Sequence, residues 1–130
     1  MKVLQPAGWK RPKGYANGIS ARGRTIHVAG QIGWNGNEQF ESDDLVQQVA
    51  QALRNIVAVL AEDDALPEHI CRMSWYLVDK YEYLAAAKGI GAVYQEIIGR
   101  HYPVMTAVVV AGLIEDRARV EIEVTAVVPE

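Results

Sequence analysis

Residues 105–110 read Met105-Thr106-Ala107-Val108-Val109-Val110, and neither face of this run is polar. Alternate side chains of an extended strand point to opposite sides. Met105, Ala107 and Val109 therefore share one face, and Thr106, Val108 and Val110 share the other. The run Val120–Val128 behaves differently. Val120, Ile122, Val124, Ala126 and Val128 face one way, whereas Glu121, Glu123, Thr125 and Val127 face the other. A sheet with helices on one side gives that second pattern. The first pattern needs cover on both sides, and a chain of 130 residues has no spare element to supply it. Another copy of the chain is the expected cover, with the strand 105–110 near the shared core of an oligomer.

Working outward, the flanking segments read as an alternation of strands and helices. Met1–Gly14 is interrupted by prolines and glycines and reads as irregular. Ala16–Ala21 and Thr25–Ala29 are short strands, and Gly23 between them predicts a hairpin. Gly30–Glu41, rich in Gly and Asn, is a loop. Ser42-Asp43-Asp44 starts a helix whose stripe is Leu45, Val49, Ala52, Leu53, Ile56 and Leu60, with Gln47, Gln48, Gln51 and Arg54 off it. Asp63-Asp64 and Pro67 close that helix, and Ile70–Val78 is a strand. Asp79 caps a second helix carrying Leu84, Ala87, Gly91, Tyr94 and Ile98 at helical spacing, and Gly99 ends it. The order ββαβαββ, with helices as crossovers between parallel neighbours, predicts an α+β fold with a mixed sheet and two helices on one face.

Composition narrows the functional classes. A length of 130 residues predicts one domain over 1–130, and 50% hydrophobic with 22% charged residues excludes a disordered chain. The net charge of −3 gives no basic footprint, so no nucleic-acid partner is expected. Cys71 stands alone, which excludes an internal disulfide and a multi-cysteine metal site and fits a reducing compartment. The start MKVLQPAGWKRPKGY has no signal-peptide pattern, and the longest apolar run, 107–113, is too short to span a bilayer. A cytoplasmic protein with no membrane partner is expected.

Several fragments then resemble the Rid family, the YjgF-type reactive-intermediate deaminases. They are Gly14-Tyr15, Thr25-Ile26-His27-Val28-Ala29-Gly30-Gln31-Ile32, Gln51-Ala52-Leu53-Arg54-Asn55-Ile56, Val78-Asp79, Tyr94, Pro103 and Val120-Glu121-Ile122-Glu123. Their order and spacing extend from about Gly14 to Val128. The resemblance implies a six-stranded mixed sheet backed by two helices (YjgF/chorismate-mutase-like), closing as a barrel-centred homotrimer. It implies intersubunit clefts for small carboxylates, and hydrolysis of 2-imino or enamino acids to 2-oxo acids and ammonia without metal or organic cofactor. In deaminating members an Arg after the motif Pro clamps the substrate carboxylate, and a Glu on the last strand positions water. Carried onto this chain, the resemblance makes Glu121 the catalytic residue and Tyr15, Gly30, Gln31, Met105, Thr106 and Ala107 the ligand-binding set.

One departure matters. The deaminase motif Pro-x-Arg-Ser reads here Pro103-Val104-Met105-Thr106, and Val109 replaces a Glu often found beyond it. A thioether cannot reproduce the rigid fork of a guanidinium. The resemblance with this departure points to a cleft that has lost its anion clamp. Deamination of an imine or enamine other than the usual 2-imino acids is the leading reading, and a non-catalytic metabolite-binding trimer is the alternative. The RNase or translation-inhibitor label carried by some members is the least favoured, given the acidic chain.

The remaining candidates keep two readings each. Tyr15 either orients a ligand or packs at a rim. Gly30 either offers backbone donors or serves a turn. Glu121 and Glu123 are a carboxylate pair or a solvated sheet face. Trp34 is a lid or an intersubunit anchor, and Arg100 with His101 either borders the cleft or ends a helix connection. Cys71 reads as a structural thiol. His27, His69 and His101 lack metal-site spacing, and Gly30-x-x-Gly33-x-x-Gly36 lacks the ending of a phosphate loop.

Overall fold

The structure is a computed structural model of residues 1–130. Helix α1 spans Leu45–Ala61, and the polar triplet before it sets its start. Ser42 Oγ accepts from the Asp44 N–H at 3.0 Å, and the Asp44 carboxylate accepts from the Gln47 N–H at 3.1 Å. These caps occupy donors that a first helical turn leaves free. The stripe from Leu45 to Leu60 is buried throughout. Gln48, expected outside it, is buried too, at 1% exposure. Its amide donates to the carbonyls of Ser42 (3.1 Å) and Arg117 (3.0 Å) and accepts from the Arg119 N–H (2.8 Å). Three backbone partners replace water, which is why a polar residue is found inside.

Four strands form the main sheet: β3 Arg24–Ile32, β4 Ile70–Leu77, β5 Val104–Val109 and β6 Val120–Val128. Their order is β3-β6-β4-β5, with β4 and β5 parallel and β6 antiparallel to both its neighbours. The crossover between β4 and β5 does make parallel neighbours. The α1 crossover does not, because β6 inserts between β3 and β4. The β4–β5 crossover is formed by α2 Lys80–Ala85 and α3 Ala87–Ile97, so three helices replace the expected two. Asp79 caps α2, accepting from the Tyr81 and Glu82 N–H groups at 2.9 and 3.0 Å. The break falls at Ala86, with φ −92° and ψ 3°. Beyond it Ile90, Tyr94 and Ile98 are buried, while Leu84, before it, is 56% exposed. Gly99, at φ +96°, ends α3 in the left-handed region that glycine adopts freely.

The N-terminal hairpin is not formed. β1 Lys2–Leu4, within the segment expected to be irregular, pairs antiparallel with β2 Gly18–Ser20, and β3 pairs with β6 instead. Gly23 serves a close approach: at φ +147° it lies against the end of β6, where a Cβ would collide with the Val128 carbonyl. The six strands therefore divide into a two-stranded ribbon and a four-stranded sheet. One link joins them: the Ala16 N–H donates to the Pro103 carbonyl at 3.0 Å, beside a parallel bridge from Ala16 to Val104.

The helices cover one face of the sheet, where Met73, Trp75, Leu77, Val120, Ile122 and Val124 are buried. The opposite face carries Arg72, Ser74 and Tyr76 from β4 beside Glu121 and Glu123 from β6 and Thr106 and Val108 from β5. Tyr76 donates its hydroxyl to Glu123 at 2.5 Å, and that bond to a carboxylate holds the phenol proton more tightly than usual. Val108 and Val109, on opposite faces of β5, are 43% and 50% exposed, so the doubly apolar strand has no cover within one chain. No helix is long and apolar enough to cross a membrane.

Candidate functional site

Parallel pairing of Met73 with Met105 and Trp75 with Ala107 sets Met105 and Ala107 on the helix side of β5. A cavity of about 520 Å³ opens there, between β5 and α3. Met105, Ala107, Trp75 and Ile90 line it, together with Tyr15, Tyr83, Tyr94 and Tyr102. Four of the six tyrosines of the chain thus converge on one space. Lys13 is its only charged lining residue, and it holds no carboxylate.

The aromatic wall is held by hydrogen bonds. Tyr94 and Tyr102 stack, with ring centroids 5.6 Å apart and planes 12° from parallel. Tyr94 donates its hydroxyl to the His101 carbonyl at 2.6 Å, and Gln95 Nε2 donates to the Tyr102 hydroxyl at 3.2 Å. His101 Nε2 lies 2.6 Å from the Ile70 carbonyl; that oxygen only accepts, so Nε2 carries the proton. Burial pushes the Tyr94 phenol far above its ordinary range and raises Tyr83 as well. Both stay neutral at any physiological pH, so the cavity presents ring faces rather than phenolates. Trp75 Nε1 is buried without a hydrogen-bond partner.

A second constellation lies at the β3–β6 pairing. The Glu121 carboxyl is seated on Gly30 so closely that a Cβ at position 30 would collide with its Oε2. A register shift between Val28 and Gln31 accompanies this contact. Gln31 turns its amide back onto the Ala29 carbonyl at 3.1 Å. The residues singled out in the sequence therefore form two groups. Tyr15, Met105 and Ala107 line the cavity, whereas Gly30, Gln31, Glu121 and the exposed Thr106 do not.

The other candidates also find places. Trp34 packs on Phe40 at 6.0 Å between ring centroids, its carbonyl accepting from Asn55 Nδ2 at 2.8 Å, and it lines a surface hollow elsewhere. Arg100 and His101 line a groove adjoining the cavity. Burial pushes the Cys71 thiol up, as suits a structural residue. Trp75, Tyr83, Ile90 and Tyr102 were not foreseen. The available signal was the alternation of Met73, Trp75 and Leu77, which assigns Trp75 to the same face as its partner in the next strand.

Residues 9–128 match the family model described as endoribonuclease L-PSP. The chain belongs to this family, the Rid family. Its fold is closely similar to that of YyfB from Yersinia pestis, described as a Rid-family protein of unknown function (28% identity, 98% of each chain, TM-score 0.86). It is similar also to TdcF from Escherichia coli, solved with bound serine (25% identity, 98% of each chain, TM-score 0.69). An uncharacterised protein of Streptomyces coelicolor is 28% identical over 96% of this chain and 90% of its own length. This Rid protein has Met105 in the wall of an aromatic cavity, with Glu121 on a different strand and outside that cavity.

Proposed function

We propose that this Rid chain works as a homotrimer whose clefts take small apolar or aromatic molecules, each cleft joining the Met105 cavity of one copy to the Gly30–Glu121 pair of the next. The observation that carries this reading is the cavity itself: aromatic, free of carboxylates and with a thioether where an anion clamp would stand. The separation of Glu121 from Met105 within one chain, and the uncovered β5, both favour a site completed by a second copy.

The chemistry supported is hydrolytic deamination of an imine or enamine that carries no carboxylate beside the reacting carbon. Water adds to the carbon of the C=N bond while the Glu121 carboxylate accepts a proton from it. The proton held by Glu121 passes to the nitrogen to give the carbinolamine, whose hydroxyl proton then moves through the same carboxylate to the amine, so that ammonia leaves and a carbonyl remains. Backbone N–H groups at Gly30 and Ala107 would stabilise charge developing in that step. Should no turnover accompany binding, the same cavity serves a metabolite-binding trimer. An endoribonuclease reading has less support, since His69 and His101 each bond to backbone and the chain is acidic.

Sedimentation at micromolar concentration is expected to give a trimer's mass, and a species of 14.3 kDa would overturn the assembly. 2-Iminopropanoate is expected to be hydrolysed weakly or not at all, and a neutral aryl enamine faster. Glu121→Gln should slow the latter by roughly 10²-fold or more, the usual contribution of a positioned base. An unchanged rate in that variant would remove Glu121 as the base, and no rate above the spontaneous one in the unmodified protein would leave only the binding reading.

A further inference from the structure

The groove beside the aromatic cavity has the opposite character. It encloses about 670 Å³ and shares Gly14, Tyr15 and Tyr102 with the cavity, so one wall separates the two spaces. Arg11 and Arg100 line the groove, and Lys13 lines the cavity next to it. None of these three cations takes part in an ion pair; the salt bridges of the chain are Arg24–Asp63, Arg117–Asp43 and Arg119–Glu82. Sixteen acidic residues occur in the chain, yet none lines either space. In a protein of net charge −3 this leaves a local positive field with no internal counter-ion.

The groove is also braced. Gln5 Nε2 donates to the Trp9 and Lys10 carbonyls at 3.3 Å each, and its Oε1 accepts from Asn17 Nδ2 at 3.0 Å. These bonds hold the loop bearing Trp9 and Arg11 against the segment that leads into β2. The backbone leading into Arg11 is therefore held beside the aromatic cavity.

We infer that the ligand is an aromatic anion whose acid group is set off from the ring by a short chain, the ring lying against Tyr94, Tyr102 and Met105 and the acid reaching Arg100 and Arg11. The inference deepens the proposed function and rests on its reading that the cavity is the binding site. It locates the missing charge. A carboxylate attached close to the reacting carbon meets the Met105 thioether rather than a guanidinium, whereas one carried several bonds further passes Tyr15 and enters the cationic groove. Guanidinium groups suit a carboxylate through paired N–H donors, and their exposure makes the attraction sensitive to salt.

Titration calorimetry with 4-phenylbutanoate and 4-phenylbutanamide tests this, since the two share ring, chain and size and differ in charge. At low salt the acid is expected to bind ~10-fold more tightly than the amide, about 1.4 kcal/mol. The gap should close in 0.5 M salt and in the doubly substituted Arg11→Gln, Arg100→Gln protein, with the amide unchanged throughout. Benzoate, too short to leave the cavity, should bind no better than benzamide. Equal binding of acid and amide by the unmodified protein overturns the inference and leaves the aromatic cavity standing. Acid binding that ignores both arginine substitutions overturns it too. If neither compound binds, the cavity reading falls with it. Arginine-dependent binding of a single-stranded oligonucleotide but not of the acid would replace the small anion with a polymer.

Discussion

Met105→Arg is expected to raise the affinity for 2-oxobutanoate by on the order of 10²-fold and to place it above a neutral aromatic amide, reversing the order expected of the unmodified protein. The argument rests on what each side chain offers a carboxylate. A guanidinium donates two parallel charge-assisted hydrogen bonds, each contributing about 1.5–3 kcal/mol, whereas a thioether donates none. Full use of both bonds would give between 10² and 10⁴-fold. The lower end is expected, because position 105 is half-buried and the guanidinium loses part of its hydration on entering an aromatic wall. The same substitution removes the adaptable sulfur that packs on ring faces, so the aromatic amide should bind less well. Calorimetry with both ligands on both proteins decides the matter. Equal or tighter oxo-acid binding by the unmodified protein would show that position 105 does not set selectivity.

Gln48→Leu is expected to be the most damaging single change outside the apolar core. The leucine fills nearly the same volume, so the effect isolates the polar atoms. Three backbone groups lose their partners: the Ser42 and Arg117 carbonyls and the Arg119 N–H. A buried polar group left unsatisfied costs about 1–3 kcal/mol. Water can reach some of them once the loop loosens, so a loss of roughly 3 kcal/mol is expected. For a chain of this size that corresponds to a fall in Tm on the order of 10 °C. Thermal unfolding of the variant beside Gln48→Ala provides the check, because a cavity alone would make the alanine protein much the worse of the two. A leucine protein as stable as the original would mean that these backbone groups are solvated already.

The elements with strong local chemistry were legible in the sequence. Helix α1 could be read from its cap and stripe, β6 from its alternation and the end of α3 from Gly99. Pairing was harder to read. Nothing local distinguishes a glycine that turns a hairpin from Gly23, whose role is to let the end of β6 approach. Gln48 looked like a surface residue because two of its three partners, at Arg117 and Arg119, lie about seventy positions away. The site divides in the same manner. Tyr15, Met105 and Ala107 were found through a resemblance, and their meeting with Trp75 and Tyr94 depends on the parallel register of β4 and β5. The cationic groove draws Arg11 and Arg100 together from opposite ends of the chain, a proximity that no spacing rule encodes.

β5 ends the sheet, and apart from the bridge at Val104 its outer edge has no strand beside it. With Val108 and Val109 bare on opposite sides, a lone copy offers foreign strands a sticky, ready-made template. In the proposed trimer this edge is covered, so newly made chains that meet quickly escape clumping. The yield of soluble protein from cells then reports on encounter between copies as much as on the folding of each.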